Sequence, residues 1–171
     1  PLASTSRLLG PTAGPLWAID TFRWSPGKRT TWDDPGSSSE RWGYASPTGW
    51  EADLAEVPTF LDRSGLTWDG LRQLLATHAA ENLSIDPANS CDLTEMELVG
   101  AAPGDRLAAF DRVNDVLRLS AYTDYTVWEA DLVLYTLFGG VYPRTDAALQ
   151  TLAEFELLRQ ELGFEVESLA A

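Results

Sequence analysis

The chain has 171 residues, with 12 Lys and Arg against 26 Asp and Glu, one His, one Cys and one Met. That length suits one compact domain burying roughly 70% of its unfolded surface, and a net charge of -14 with no basic patch excludes nucleic acid and disfavours anionic membranes as partners. The lone Cys91 excludes an intrachain disulfide, one His excludes a Cys/His zinc cluster, and no cofactor motif is present.

Residues 1–50 contain five of the seven Trp, at Trp17, Trp24, Trp32, Trp42 and Trp50, and 12 of the 23 Gly and Pro, without helical periodicity. This composition predicts turns and irregular backbone. The aromatic density argues against free disorder, because disordered tracts are poor in large apolar side chains. Residues 1–47 are therefore read as an irregular segment packed on or beside a helical body, and residues 48–171 as that body. Flat indoles also stack on sugar faces, so Trp17, Trp24, Trp32 and Trp42 are the candidate binding residues for a glycan or a protein receptor. Burial of the indoles would instead mark them as anchors.

Thr48-Gly49-Trp50-Glu51 has the spacing of a capping box. Leu54, Val57 and Leu61 follow at helical intervals, and Pro58 either breaks this helix or opens a second one in its first turn. Gly65 is the expected stop and Thr67 the next cap, with Leu71, Leu74, Leu75 and His78 along one face. Residues 82–92 read as a polar connection. A long helix is predicted from Gly104-Asp105, exposing Leu107, Phe110, Val113, Leu117 and Ala121 on one side. Thr126 and Glu129 form a second capping box that opens VWEADLVLYTLF, apolar nearly all round and expected to be buried on most faces. Gly139-Gly140 ends it. A last helix spans about residues 144–162 with Leu149, Leu152, Phe155, Leu158 and Leu162 inward, closed by Gly163. No stretch alternates convincingly with period two, so the predicted fold class is all-α.

A local grammar recurs around Leu66, Tyr125 and Phe164: a helix stops, an apolar residue plugs the corner, a polar residue caps, and a new helix begins. The intervals between copies, 59 and 39 residues, describe an irregular array of helix-corner-helix units and not a fixed-period solenoid. The third copy breaks off at Ala171 and the single methionine is Met96, so the chain is expected to be a piece of something longer. No apolar run reaches the ~20 residues of a membrane span, and PLASTSRLLG lacks the apolar core of a signal peptide.

Other chemistry is weighed residue by residue. His78, near a helix C-terminus, is expected to cap or pack. Cys91 precedes Asp92, whose charge opposes thiolate formation, and a small buried apolar role is expected for it. Glu129 and Asp131 invite a carboxylate-pair reading for glycoside hydrolysis, but residues two apart on a helix diverge, and Glu129 has a capping task. Asp33, Asp34, Asp86 and Asp92 lack Ca²⁺-loop spacing and read as solvated loop acids. Asp111-Arg112 and Asp115-Arg118 read as surface ion pairs.

The stretches VPTFLDRSGLTWDGLRQLLATH, NSCDLTEMEL and RLAAFDRVNDVLRLSAYTDYTVWEADLVLYTL resemble, collinearly, the large A subunits of insecticidal Tc toxin complexes and the related Salmonella virulence-plasmid A proteins. The matching positions include Phe60, Leu61, Arg63, Gly65, Leu66, Cys91, Asp92, Leu93, Arg118, Leu119, Trp128 and Glu129, over about residues 42–171. Gly70, Ala130 and Asp124 depart from the family's pattern of Glu, Leu and Gly. The resemblance implies a non-enzymatic segment of the α-helical shell around the channel of a secreted, pentameric pore-forming toxin. The implied partners are the other toxin subunits and the B and C components, with a host receptor or glycan as a further one. The alternative function is a free-standing helical module that binds protein or glycan through its Trp-rich segment.

Overall fold

The computed structural model describes residues 37–88, 90–102, 104–123, 125–140, 145–166 and 168. The fold is all-α, with seven helices and one small hairpin among those residues. The helices are α1 Ser38–Arg41, α2 Trp50–Ala55, α3 Val57–Ser64, α4 Trp68–Leu74, α5 Asp105–Tyr122, α6 Val127–Phe138 and α7 Asp146–Leu162. The strands are β1 Leu83–Asp86 and β2 Glu97–Gly100, with a 3₁₀ turn at Leu93–Glu95 before β2.

Most boundaries follow from cap chemistry. Thr67, Thr126 and Thr145 each accept a backbone N–H at a helix start, and Thr126 and Glu129 close a reciprocal capping box. Gly65, Gly139 and Gly163 end α3, α6 and α7 in the left-handed region, where a side chain would be strained. Pro58 stands in the first turn of α3, so it starts the second helix and does not kink one long helix. The predicted Thr48 box does not form. Gly49 takes φ +78° and becomes the N-cap of α2, leaving Glu51 at the second helical position, too early to reach back; it bonds Arg106 instead, at 3.0 Å. A capping box does occur within the segment read as irregular, between Ser37 and Glu40, and it opens α1.

The hairpin is a second correction. Leu83 faces Gly100, Ser84 faces Val99, Ile85 faces Leu98 and Asp86 faces Glu97 in antiparallel register. Leu98 is buried, while Leu83 and Ile85 are half-buried against the same core. Its strands are only four residues each, too short to stand out from the polar connection in which β1 lies. Val57 N–H donates to the Met96 carbonyl at 3.0 Å, which ties α3 to the start of β2.

Glu97 also forms a bridge with Glu56, so Asp86, Glu97 and Glu56 lie in one exposed row across three adjacent backbone segments. Directly opposed like charges destabilise a ladder. Replacement Glu97→Lys is expected to raise stability by about 0.5 kcal/mol at low salt, an advantage that fades at ~1 M salt as screening shortens. Urea unfolding at the two salt concentrations checks this; a destabilised variant at low salt contradicts it.

The core is aromatic at its centre. Phe110 of α5 meets Phe60 of α3 at 6.0 Å, Trp42 at 6.1 Å and Trp50 of α2 at 6.5 Å between ring centroids, and Trp42 meets Phe60 at 5.5 Å. Such rings each bury about 150–250 Å², and here Phe60 and Phe110 stack at 28° while Trp42 meets Phe110 edge to face at 65°. The predicted stripe on α5 is corrected at both ends. Phe110, Val113 and Leu117 are buried, whereas Leu107 and Ala121 are exposed, because the flanking elements grip the middle of this 18-residue helix.

Two further expectations are overturned by exposure. Helix α6 buries Ala130, Asp131, Val133 and Leu134, but leaves Trp128 at 46% and Tyr135 at 40% exposure, so it is covered on one side only. Helix α7 buries Leu152 and Phe155 but exposes Leu158 and Leu162. Leu149 lies outside the residues whose side chains are described. Of the three corner plugs, Tyr125 is buried, Leu66 is half-buried, and Phe164 is exposed, so the third corner is not plugged.

Candidate functional site

Helix α4 ends earlier than its periodicity predicts, at Leu74, and the turn that follows carries His78 to α6. Two consecutive backbone N–H groups of that turn point at Asp131. His78 N–H donates to Oδ2 at 2.9 Å and Ala79 N–H donates to Oδ1 at 2.8 Å. His78 Nδ1 lies 3.1 Å from the same Oδ2. The carboxylate is 1% exposed and the imidazole 43% exposed. On its other side the imidazole stacks on Tyr135, 3.8 Å between centroids and 17° from parallel. Arg112 of α5 completes the joint by donating to the carbonyls of Ala79 at 3.1 Å and Glu81 at 3.2 Å. A buried carboxylate is tolerated here because fixed donors replace its water.

Asp131 is thus separated from Glu129 in role as well as in direction. Glu129 accepts from the Thr126 backbone at 2.7 Å as the partner in the capping box, so the carboxylate pair does not converge on a common point. His78 does pack as expected, through an interaction with Asp131 that the sequence reading did not foresee.

A second polar set lies along α5. Arg41 pairs with Asp111, to which the Ser38 hydroxyl also donates at 3.1 Å. Asn114 Nδ2 donates to the Arg41 carbonyl at 3.4 Å, and Arg118 stands 3.6 Å from Asp115, both of them buried. The two predicted surface pairs are therefore corrected. Asp111 binds Arg41 and Ser38 of α1, and the Asp115–Arg118 pair is interior, where removal of one member is far more costly than at a surface.

Two Tyr–carboxylate–Arg clusters fasten outlying elements. The Tyr44 hydroxyl donates to Asp53 at 2.6 Å with Arg63 over its ring, and the Tyr125 hydroxyl donates to Glu156 while Arg159 binds the same carboxylate at 2.8 Å. Burial, followed by the adjacent carboxylate, pushes both phenols above their ordinary range. Burial pushes Glu156 upward, but hydrogen bonds from Arg159, Tyr125 and Gln160 outweigh it and leave the carboxyl below its usual range. These clusters hold α2 to α3 and α7 to the corner before α6.

The remaining candidates are dispersed. Trp17, Trp24 and Trp32 lie outside the described residues, as do Asp33 and Asp34. Trp42 has no exposed surface and Trp50 is buried, so both serve the core and neither presents a face to a sugar. Cys91 is exposed, contrary to the small buried role expected, because it sits in the loop between the strands. Asp92 accepts from the Thr94 hydroxyl and backbone, which lowers its carboxyl below the ordinary value and starts the 3₁₀ turn. Among the described residues no three His, Cys, Asp or Glu side chains gather to hold a metal ion, and no helix is long and apolar enough to cross a membrane. A shallow open pocket between α2, β2 and the start of α5 is lined by Glu51, Gly100 and Arg106, the acid and base paired with each other.

The surface feature that stands apart is the open side of α6. Trp128, Leu132 and Tyr135 recur at intervals of four and three, which places them on one face, with two exposed aromatic rings and a half-buried leucine. Comparison of the chain with protein families, with curated proteins and with solved structures finds no match.

Proposed function

We propose that this chain is a structural, non-catalytic piece of helical wall, of the kind that forms the shell of a secreted Tc-type toxin A subunit. Its role is to pack against neighbouring protein in a large assembly. The observation that carries this reading is the open face of α6, where Trp128 and Tyr135 stay exposed on a helix that buries Ala130, Val133 and Leu134 on its other side. Large contiguous apolar surface marks a contact with another macromolecule. The exposed Leu158, Leu162 and Phe164 add a second apolar area at the end of α7.

The fate of the chemistry-bearing side chains agrees with a scaffold. Asp131 and His78 bind a turn, Glu129 caps a helix, and Asp111 and Asp115 bind arginines. The resemblance of FLDRSGLTWDGLRQLL and of the α5–α6 stretch to Tc A subunits supplies the class of assembly, with other A subunits and the B and C components as its partners. Negative-stain electron microscopy of the intact gene product tests the reading. A closed ring of subunits with a central channel is the expected image, and a small monomeric particle overturns it.

A further inference from the structure

We infer that the end of α7 is a docking surface for a basic amphipathic helix of another protein. This deepens the wall reading by naming the partner chemistry at its second apolar area, and it fails separately, since the wall reading rests on α6. Leu158 and Leu162 are 50% and 54% exposed and lie one helical turn apart on the same face. Beyond them the chain turns back. The N–H groups of Gly163 and Phe164 both donate to the Arg159 carbonyl, at 2.9 and 3.2 Å, which closes a left-handed helix end and returns the residue after the glycine towards the last turn. That residue is Phe164, 48% exposed, so three large apolar side chains share this end of the helix.

The charge along this stretch has one sign. Glu154 lies one turn before Leu158, Glu161 lies one turn after it, and Glu165 follows Phe164, all three exposed. Arg159, the base of the stretch, is committed to Glu156 through hydrogen bonds of 2.8 and 2.9 Å. Apolar side chains edged by carboxylates are complementary to an apolar stripe edged by Lys or Arg. A twofold contact between copies of this chain would set the same carboxylates against each other. The three side chains also present on the order of 300 Å² against the ~800 Å² per partner of a standard interface, so the patch suits a small partner element and not self-association. The acids likewise repel anionic lipid. The partner element is a helix because the backbone of α7 is spent on its own helical hydrogen bonds and offers no sheet edge, which leaves side-chain contact along the leucine stripe as the mode of recognition.

NMR titration of the isotope-labelled 171-residue chain with a synthetic amphipathic helix of about 18 leucine and lysine residues, and with its leucine and glutamate counterpart, tests the assignment. The lysine peptide is expected to bind at low salt with a Kd on the order of 100 μM and to shift amides of residues 154–166, whereas the glutamate peptide should not bind. Leu158→Ser with Leu162→Ser is expected to weaken binding about tenfold. Glu154→Gln with Glu161→Gln should weaken it about two- to fivefold. These four positions are exposed, so the fold is expected to survive both pairs. Glu56→Gln with Glu97→Gln removes as many charges from the hairpin side and should change binding less than about twofold. The inference is overturned by a peptide that shifts α6 instead of α7, that binds the leucine variant as tightly as the wild type, or that responds equally to the hairpin variant. Absence of binding at about 1 mM peptide overturns it as well. None of these outcomes bears on the wall reading, which is decided by coverage of Trp128 and Tyr135.

Discussion

Asp131→Ala is expected to lower stability by about 3 kcal/mol or more, because it strands two N–H groups at a buried joint and each unsatisfied donor costs about 1–3 kcal/mol. The donors are those of His78 and Ala79, and Ala79 is fully buried. Asp131→Asn keeps a carbonyl oxygen for one of them and gives up the charge, so it should fall between the wild type and Asp131→Ala. Urea denaturation reads both, as a lower midpoint with an unchanged slope. A midpoint for Asp131→Ala within error of the wild type would show that the joint does not bear on folding.

Phe110→Ala should cost about 4 kcal/mol, the range for a buried phenylalanine whose cavity cannot collapse. The site is unable to close because Phe60, Trp42 and Trp50 press on Phe110 from three elements and are themselves constrained by α3, α1 and α2. Phe110→Leu retains much of the volume and is expected to cost about 1.5 kcal/mol or less. The near-ultraviolet circular dichroism of the two indoles should weaken in Phe110→Ala before the far-ultraviolet helical signal does. A Phe110→Ala variant as stable as the Phe110→Leu variant would place the centre of the core elsewhere.

These two sites mark the boundary between what the sequence makes legible and what it does not. Helix ends are local chemistry: Thr67, Thr126, Gly65, Gly139 and Gly163 act on backbone groups within four residues, and each was readable from its spacing. The Asp131 joint spans 53 positions and the Arg41–Asp111 pair spans 70, distances at which no periodic pattern carries information. Periodicity also overstates burial. Trp128 and Tyr135, like Leu158 and Leu162, fit an apolar helix face, yet whether such a face is covered depends on which elements reach it. The alternation Leu83-Ser84-Ile85-Asp86 puts only two residues on each face, too few to separate a strand from a polar connection. Of the candidate site, the residue types were legible in His78 and Asp131, and their meeting was not.

The wall reading stands or falls on whether the open face of α6 is covered in the native assembly. Hydroxyl-radical footprinting of Trp128 and Tyr135, comparing the 171-residue chain in solution with the native assembly purified from its source, measures that directly. Oxidation of both rings is expected to be severalfold lower in the native assembly than in the chain alone. Equal oxidation of Trp128 and Tyr135 in the two preparations would mean that this face meets water in the native protein, and the proposed packing role would be contradicted.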